Sequence, residues 1–265
     1  MAHGYRHLRE VSKMYSSVRD KLTSTMGWDI PYICSINHKH RLILLCLHGF
    51  AGDKDSSVIK ALMDQFDEDG IGVMTFDWPA HGESDAADHE LTVDNCLNDL
   101  DIVVTWLVHK YSIPLSCFAT SFGGYLATLY RNEHPNVFQD LILRSPALKM
   151  NEDFRELIPE EEFAAMMQGK DFTTGFDRKM CIGRKFYKSL CNHDAFSLKP
   201  PHPENMLIIQ GDSDLVVNPK DTQEYADKNG INLIVFHGTD HVYKKSGEKE
   251  QIVEETKKFL FRNRF

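Results

Sequence analysis

The stretch CFATSFGGYLATLY, residues 117–130, places a serine where a strand-like run gives way to a helical pattern. The apolar letters up to the first alanine predict a buried strand, and those from Phe122 onward predict a helix. The residues two before and two after Ser121 are small, Ala119 and Gly123. This A-x-S-x-G differs by one residue from the G-x-S-x-G turn that exposes a nucleophilic serine. The serine is therefore either a nucleophile or a cap of the following helix.

Strand and helix patterns alternate on both sides of this stretch. RLILLCLHGF, residues 41–50, is a continuous apolar run and predicts a strand buried on both faces, and IGVMTFDW, NMLIIQGD and INLIVFHG predict further strands. Helical spacing separates them, for example from residue 93 to 111, where Thr92 is the predicted N-cap. Such alternation predicts an α/β fold with a mostly parallel central sheet and helices on both faces.

Two shorter segments fit this pattern less directly. Residues 1–21 lack the apolar core of a secretion signal, and we expect a plain N-terminal helix or an extended arm there. The run NHKH, residues 37–40, lies between two strand-like runs and predicts a hairpin turn.

The alternation stops between residues 151 and 203, which predicts an inserted cap within a single domain spanning residues 1–265. Charge clusters and scattered aromatic residues fill the insertion, and PEEEF at 159–163 predicts a helix start. An aromatic lining would suit a flat aromatic or acyl group, but for each ring we favour packing in the cap's own core. The aromatic and methionine residues concerned are Phe154, Phe163, Met166, Met167, Phe172, Phe176, Phe186, Tyr187 and Phe196.

Two later strand ends carry the residues that a serine nucleophile needs. Parallel strands bring their carboxyl ends to one edge of the sheet. Asp214 follows the predicted strand NMLIIQG, and His241 follows the next, INLIVF. The chain order Ser, Asp, His is that of an α/β-hydrolase. We therefore predict Ser121 as nucleophile, His241 as general base and then acid, and Asp214 as the carboxylate that orients the imidazole.

Neighbouring polar residues receive other roles. Asp212 and Asp240 are expected to be turn residues, because Asp214 lies further beyond the strand end. The backbone N–H groups of Phe50 and Phe122 are predicted to form the oxyanion hole, one from each strand-to-helix loop. We expect His48, in the same HGF triplet as Phe50, to be structural.

Composition excludes several other functions. The 265 residues carry a net charge of -9, which gives no general attraction for nucleic acid or anionic membranes. No apolar stretch reaches the ~18 residues that a membrane span needs. Six cysteines without a C-x-x-C pair favour reduced thiols and a cytoplasmic location. Because H-E-x-x-H, P-loop and G-x-G-x-x-G motifs are absent, we expect no metal and no cofactor.

On these motifs the chain resembles α/β-hydrolase serine esterases, and within them the bacterial cinnamoyl (feruloyl) esterases. The resemblance runs from residue 41 to the C-terminus and rests on LHGFAGDKDSS, FDWPAHGESDA, ATSFGG, GDSDLVV and GTDHVY. It implies hydrolysis of hydroxycinnamic esters by serine, histidine and aspartate under an inserted cap. Two alanines depart from the pattern: Ala80 replaces the first glycine of a GHG motif, and Ala119 replaces the glycine before the nucleophile.

The sequence therefore predicts a serine carboxylester hydrolase that cleaves small aromatic or short acyl esters through an acyl-enzyme. Its expected partner is a small-molecule ester, and a homodimer stays open. Two alternatives remain. One is a lipase-like or peptidase-like hydrolase of the same fold, and the other is a non-catalytic ligand-binding protein on the same scaffold, which the two alanines favour.

Overall fold

The computed structural model describes residues 17–175 and 178–262, which form a central eight-stranded sheet. The strands of this sheet are β1 (Val18–Thr23), β2 (Asp29–Cys34), β3 (Leu42–Leu47), β4 (Ile71–Phe76), β5 (Leu115–Thr120), β6 (Leu141–Arg144), β9 (Met206–Gly211) and β10 (Asn232–Phe236). Their spatial order is β1-β2-β4-β3-β5-β6-β9-β10. From β4 to β10 all neighbours pair in parallel, and β1–β2 and β2–β4 pair antiparallel. The predicted mostly parallel sheet is confirmed.

Helices cover both faces of this sheet, as predicted. They are α1 (Ser57–Phe66), α2 (Val93–Tyr111), α3 (Phe122–Glu133), α4 (Met150–Leu157), α5 (Glu160–Met167), α6 (Arg184–Cys191), α7 (Pro219–Asn229) and α8 (Glu248–Phe261). The Thr92 hydroxyl accepts a hydrogen bond from the Asn95 N–H at 3.2 Å, which confirms the predicted cap of α2. Within the described residues, no helix is both long and apolar enough to cross a membrane.

Strand β3 shows why its sequence is continuously apolar. Ile43, Leu45 and Leu47 pack in one hydrophobic cluster with side chains of α2, α3 and α7. The residues between them, such as Leu44, pack in a second cluster with α1 and α8. Because successive side chains of a strand point to opposite faces, both sets are withdrawn from water. The sheet is therefore the rigid layer from which the loops at its carboxyl edge project.

The N-terminal part of the described chain is a hairpin at the edge of this sheet. Strand β1 pairs with β2, so of the two alternatives the helix is wrong for residues 18–21, which are extended, and residues 1–16 lie outside the described part. The buried carboxylate of Asp99 in α2 holds the hairpin by accepting hydrogen bonds from the Ser24 hydroxyl at 2.6 Å and the Trp28 indole at 2.8 Å. This edge strand is mostly exposed, so it lacks an apolar pattern by which to predict it.

The predicted hairpin turn at residues 37–40 is also wrong. This run connects β2 to β3, but β2 pairs with β4, and β3 lies on the other side of β4. The His40 ring packs tightly over β4, since a Cβ at Gly72 would lie 2.6 Å from its Nδ1. The glycine thus allows the connection to cross the neighbouring strand.

The segment between β6 and β9 contains α4, α5, α6 and a two-stranded antiparallel sheet of β7 (Phe172–Thr174) and β8 (Met180–Ile182). Its described aromatic rings contact one another, but they belong to or pack against the main hydrophobic cluster, so the separate cap core that was favoured is not observed among the described residues. Phe186 is buried and stacks on Phe50 with centroids 5.7 Å apart, and Phe154 meets the same ring edge-on at 6.1 Å. Phe176 lies outside the described residues. These contacts fix the segment against the loop after β3.

Candidate active site

Ser121 occupies a strained turn between β5 and α3. Its backbone has φ 52° and ψ −116°, a region that residues other than glycine rarely adopt. The turn is held by hydrogen bonds from the Ser121 N–H to the Arg144 carbonyl at 3.0 Å and from the Ala147 N–H to the Ser121 carbonyl at 3.2 Å. The Ser121 side chain makes no capping bond to α3, so the helix-cap alternative is wrong.

Small residues around Ser121 allow the close packing of this turn. A Cβ at Gly123 would lie 2.6 Å from the His48 carbonyl oxygen, and one at Gly49 would lie 3.2 Å from the Ser121 Cβ. Ala119 is fully buried in regular strand, and the positive φ falls on Ser121 instead. Alanine therefore fits at position 119 without backbone strain.

Ala80, the second departure from the family pattern, does sit in a strained conformation. Its φ of 63° lies in the left-handed region that favours glycine. The next residue, His81, is fully buried and accepts a hydrogen bond from the Ala51 N–H at 3.0 Å. Burial, followed by the neighbouring His48, lowers the pKa of His81 to about 3, so the ring stays a neutral acceptor. The strained turn thus supports the loop that carries Phe50.

His48 and Asp77 belong to the same supporting network. Burial lowers the pKa of His48 to about 4, and its Nδ1 lies 2.8 Å from the Gly49 carbonyl. The Lys54 ammonium donates to the buried Asp77 carboxylate at 2.6 Å. These contacts lie within the loop after β3 and tie it to Asp77, and the structural role of His48 stays a prediction.

Three loops bring Ser121, His241 and Asp214 into one hydrogen-bonded series. The Ser121 Oγ lies 3.1 Å from the His241 Nε2, and the His241 Nδ1 lies 2.7 Å from the Asp214 Oδ2. The loops follow β5, β10 and β9, so the sheet sets their spacing. The Asp214 side chain is completely buried, whereas that of His241 retains 13% exposure. The geometry allows a proton to pass from the hydroxyl to the imidazole.

The Asp214 carboxylate is held from several sides. Its Oδ1 accepts hydrogen bonds from the Val216 and Val217 N–H groups, both at 2.9 Å, and its Oδ2 accepts one from the Gln210 side-chain amide at 3.1 Å. Burial alone would raise the pKa of Asp214, but the bond and charge of His241 and the two backbone amides together lower it. Asp214 is therefore an anion positioned to orient His241.

The other two aspartates form local turn contacts, as predicted. Asp212 accepts a hydrogen bond from the Gly238 N–H at 2.6 Å and lies 3.0 Å from the His237 Nδ1. Asp240 accepts bonds from the Val242 and Tyr243 N–H groups, each at 3.1 Å. Neither hydrogen-bonds to His241.

Phe50 and Phe122 lie in the two loops beside Ser121. Phe122 is the first residue of α3, where backbone N–H groups have no helical acceptor. The rings of Phe50 and Phe122 meet edge-on with centroids 6.1 Å apart. In the described ranges, neither backbone N–H donates a hydrogen bond to the protein. Both donors are thus available, and the oxyanion hole stays a prediction.

A cavity of about 440 Å³ opens beside Ser121 and His241. Its wall is mostly apolar, and α4 and the residues after it contribute Met150, Phe154, Leu157 and Ile158. Of the aromatic residues considered for a lining in the β6–β9 segment, Phe154 is the one on this wall in the described chain. In the described ranges, no group of three or more His, Cys, Asp or Glu side chains is placed to hold a metal ion.

Two charged residues on the cavity wall were not predicted from the sequence. Arg144 is the last residue of β6, and Asp153 lies in α4. A charged residue directly after an apolar strand, as in LILR, was the signal for Arg144. Asp153 looks like an ordinary acidic residue of a first helical turn, so no comparable signal existed.

Asp153 makes the stability of the fold depend on pH. Burial, followed by the charges of Asp221 and Glu156, raises the pKa of Asp153 to about 7. The folded state therefore binds this proton more tightly than the unfolded chain, and the free energy of unfolding falls as the pH rises through about 7. Asp153→Asn is expected to raise the free energy of unfolding by about 1–3 kcal/mol near pH 8 and by less near pH 5, measured by urea denaturation.

Glu162→Gln on the exposed side of α5 is the matched control, because it also removes a carboxylate but lies away from the cavity. Its effect on the free energy of unfolding should be small and equal at both pH values. If Asp153→Asn changed the free energy of unfolding equally at the two pH values, the raised pKa of Asp153 would be contradicted.

A mostly parallel sheet with this strand order, and a serine in a strained turn between strand and helix, defines an α/β-hydrolase. The chain belongs to the Hydrolase_4 family, described as serine aminopeptidase S33, whose sequence profile matches residues 38–174, just over half of the chain. The resemblance on which the sequence was assigned to this superfamily is confirmed.

Solved structures share the fold at low sequence identity. Est1E from Butyrivibrio proteoclasticus with bound ferulic acid superimposes with a TM-score of 0.80 at 18% identity, over 92% of this chain and 98% of its own. Alpha/beta hydrolase domain-containing protein 10 from mouse does so with a TM-score of 0.76 at 16% identity, over 92% and 99%. These likenesses establish the architecture.

Sequence relatives extend over a shorter part of the chain. Two Escherichia coli proteins, each described as an uncharacterized 31.7 kDa protein in the traX-finO intergenic region, are 33% identical over 91 residues. The match covers 33% of this chain and 31% of each relative. The chain thus aligns with about a third of their length.

Proposed function

We propose that the protein is a serine hydrolase that cleaves carboxylic esters through an acyl-enzyme on Ser121. The observation that supports this most directly is the series Ser121–His241–Asp214, with distances of 3.1 Å and 2.7 Å, at the wall of the cavity. A serine hydroxyl is a weak nucleophile unless a base accepts its proton. Here the Nε2 lone pair faces the hydroxyl only if Nδ1 carries the proton, and Asp214 favours that tautomer.

The proposed reaction has two matching halves. In the first, His241 accepts the Ser121 proton while Oγ attacks the ester carbonyl, and the oxyanion accepts hydrogen bonds from the N–H groups of Phe50 and Phe122. His241 then donates the proton to the departing alkoxide, which leaves as the alcohol. In the second, water gives its proton to His241 and attacks the acyl carbonyl, after which Ser121 recovers its proton and the acid is released.

The cavity supports small aromatic or short acyl esters as the substrate class. Its volume of about 440 Å³ and its apolar wall fit one ring or a short chain, and Phe50 and Phe154 supply ring contacts. Ferulic acid binds the structurally similar Est1E, which supports a hydroxycinnamoyl ester. We further propose that residues 151–203 act as the cap, since this segment supplies part of the wall. The unpaired cysteines support a cytoplasmic location.

A fluorophosphonate probe tests the proposed nucleophile. It should form one covalent adduct that peptide mass spectrometry assigns to Ser121, since it reacts with serines that a neighbouring base activates. Prior labelling should abolish ester hydrolysis. A folded protein without an adduct at Ser121 would instead support a ligand-binding protein on the hydrolase scaffold.

A substrate panel separates the remaining enzyme classes. Aryl esters, monoacylglycerols and aminoacyl amides test the esterase, lipase-like and peptidase-like alternatives, the last of which the family description suggests. We expect kcat/KM to be highest for the aryl esters, because the cavity is small and its wall is mostly apolar. A preference for the amides by tenfold or more would favour the peptidase-like function.

A further inference from the structure

Arg144 places a cation on the cavity wall, and among the described residues its guanidinium has no hydrogen-bond acceptor. The side chain is partly exposed through the cavity, while its Nε is buried and has no hydrogen-bond partner. Within residues 17–175 and 178–262, no carboxylate forms a salt bridge with it. The buried Arg131 also has an unpartnered nitrogen, Nη1, but its other nitrogens donate to the Pro201 and His202 carbonyls at 3.1 Å and 3.2 Å. Among the described residues, Arg144 is thus a partly exposed cation that packs on an aromatic ring but has no carboxylate partner.

The guanidinium is fixed next to the reacting groups. The Arg144 carbonyl accepts the hydrogen bond from the Ser121 N–H, so the two backbones are joined at the strained turn. The guanidinium carbon lies 4.9 Å from the centre of the Tyr243 ring, two residues beyond His241. The Tyr243 hydroxyl is held in turn, 3.1 Å from the Ser145 hydroxyl and 3.3 Å from the Ile209 carbonyl. The Tyr243 ring therefore holds the guanidinium on the cavity wall that Ser121 and His241 also line.

The carboxylate whose charge acts on Arg144 is already committed elsewhere. Asp214 attracts Arg144 through space, but its two oxygens accept bonds from Val216, Val217 and Gln210 and contact His241. Burial lowers the pKa of Arg144, and the charge of Asp214 offsets only part of this effect. A partly desolvated guanidinium without a carboxylate partner is unfavourable, and an anion in the cavity would compensate its charge.

We propose that Arg144 binds a carboxylate on the substrate, so that the preferred esters carry an anionic group near the bond that is cleaved. This inference rests on the proposed ester hydrolase activity of Ser121. Arginine presents paired N–H donors that match the two oxygens of a carboxylate, and the largely apolar wall would strengthen such a bond. The carboxylate belongs either to the acyl part, as in a half-ester of a dicarboxylic acid, or to the alcohol part, as in an ester of a hydroxybenzoate.

Matched substrate pairs test the proposal and separate these two sources. In the acyl arm, 4-nitrophenyl hemisuccinate is compared with 4-nitrophenyl butyrate. In the alcohol arm, 4-carboxyphenyl acetate is compared with phenyl acetate. The ratio of kcat/KM for the anionic ester to that for the neutral ester should exceed about tenfold in one arm, as expected for a charged hydrogen bond. A ratio near one in both arms would overturn the proposal.

Variants show whether this ratio depends on Arg144. Arg144→Gln should lower the ratio by about 10- to 100-fold, and Arg144→Lys should retain part of it, because it keeps the charge without the paired donors. Arg41→Gln, an exposed arginine at the opposite end of the sheet, should leave the ratio unchanged. If Arg144→Gln lowers kcat/KM for both esters equally, the residue only supports the turn, and the proposal fails.

A binding measurement separates this proposal from the proposed activity. Isothermal titration calorimetry measures the binding of 4-hydroxybenzoate and of succinate to the Ser121→Ala variant. This measurement does not depend on catalytic turnover. We expect one carboxylate to bind, and its affinity to fall about tenfold or more when Arg144→Gln is added. If the fluorophosphonate probe formed no adduct at Ser121 but carboxylate binding still depended on Arg144, the proposed hydrolase activity would be overturned and the proposed anion site would stand. If the probe labelled Ser121 but carboxylate binding did not depend on Arg144, only the proposed anion site would be overturned.

Discussion

Ser121→Ala is expected to lower kcat/KM for the best ester by about 10⁴-fold or more, as the loss of a serine nucleophile does in other serine hydrolases. The alanine removes the atom that lies 3.1 Å from the His241 Nε2 and so prevents an acyl-enzyme from forming. Any residual rate would come from binding and from the oxyanion donors alone. Steady-state hydrolysis of aryl esters at several enzyme concentrations measures the loss and excludes a contaminating esterase.

Two further variants show that such a loss is chemical and not structural. Ser213→Ala removes a hydroxyl that bonds to Asp212 in an exposed turn, and it should change kcat/KM by less than about twofold. Ser121→Gly also lacks the nucleophile but suits the φ of 52° better than alanine does. The glycine variant should therefore be as inactive as the alanine variant and at least as stable. Residual activity within tenfold of the parent would contradict the assignment of Ser121.

The sequence predicted the central sheet and the three proposed catalytic residues because both depend on short-range patterns. The apolar run of β3 predicts a strand with both faces covered, and its two hydrophobic clusters are the physical cause of that pattern. The strand ends then bring Ser121, Asp214 and His241 to one edge of the sheet, although Ser121 and His241 lie 120 residues apart in sequence. Chain order and strand ends were sufficient for this prediction.

Features that depend on long-range pairing were not predictable in the same way. Strand β1 is stabilised by backbone pairing and by the contact of Asp99 with the hairpin, and neither leaves a periodic pattern in residues 18–23. Strand β2 pairs with β4, which is further along the chain than β3, and the turn composition of residues 37–40 does not reveal this choice. Arg144 was identifiable as a charge at a strand end, but its lack of an acceptor is visible only in three dimensions.

The two alanines differ in their consequences for the proposed activity. Ala119 lies in regular strand and changes neither the φ of Ser121 nor the packing of Gly123 against the His48 carbonyl. Ala80 carries a positive φ, so its cost is one of stability, and its neighbour His81 still accepts the hydrogen bond from the Ala51 N–H. Neither substitution moves a group that is proposed to act on the ester. They therefore give the non-catalytic alternative less support than the sequence alone suggested.

Asp214→Asn is expected to lower kcat by about 10³- to 10⁴-fold, for a reason specific to this turn. The Asp214 Oδ1 accepts two backbone N–H bonds, from Val216 and Val217, so an asparagine would keep its carbonyl oxygen there. Its NH₂ group would then face the His241 Nδ1, which would have to act as an acceptor. The imidazole proton would consequently lie on Nε2, and His241 could no longer accept the proton of Ser121.

Asp212→Asn is the matched control, because it makes the same change two residues earlier in the same turn. Asp212 contacts His237 and the Gly238 N–H but not His241, so kcat should change by less than about twofold. The two variants remove the same charge, but only Asp214→Asn is expected to reverse the tautomer of His241. Equal activities of the two variants would show that no carboxylate orients His241, and a general-base role for His241 would then lose its support.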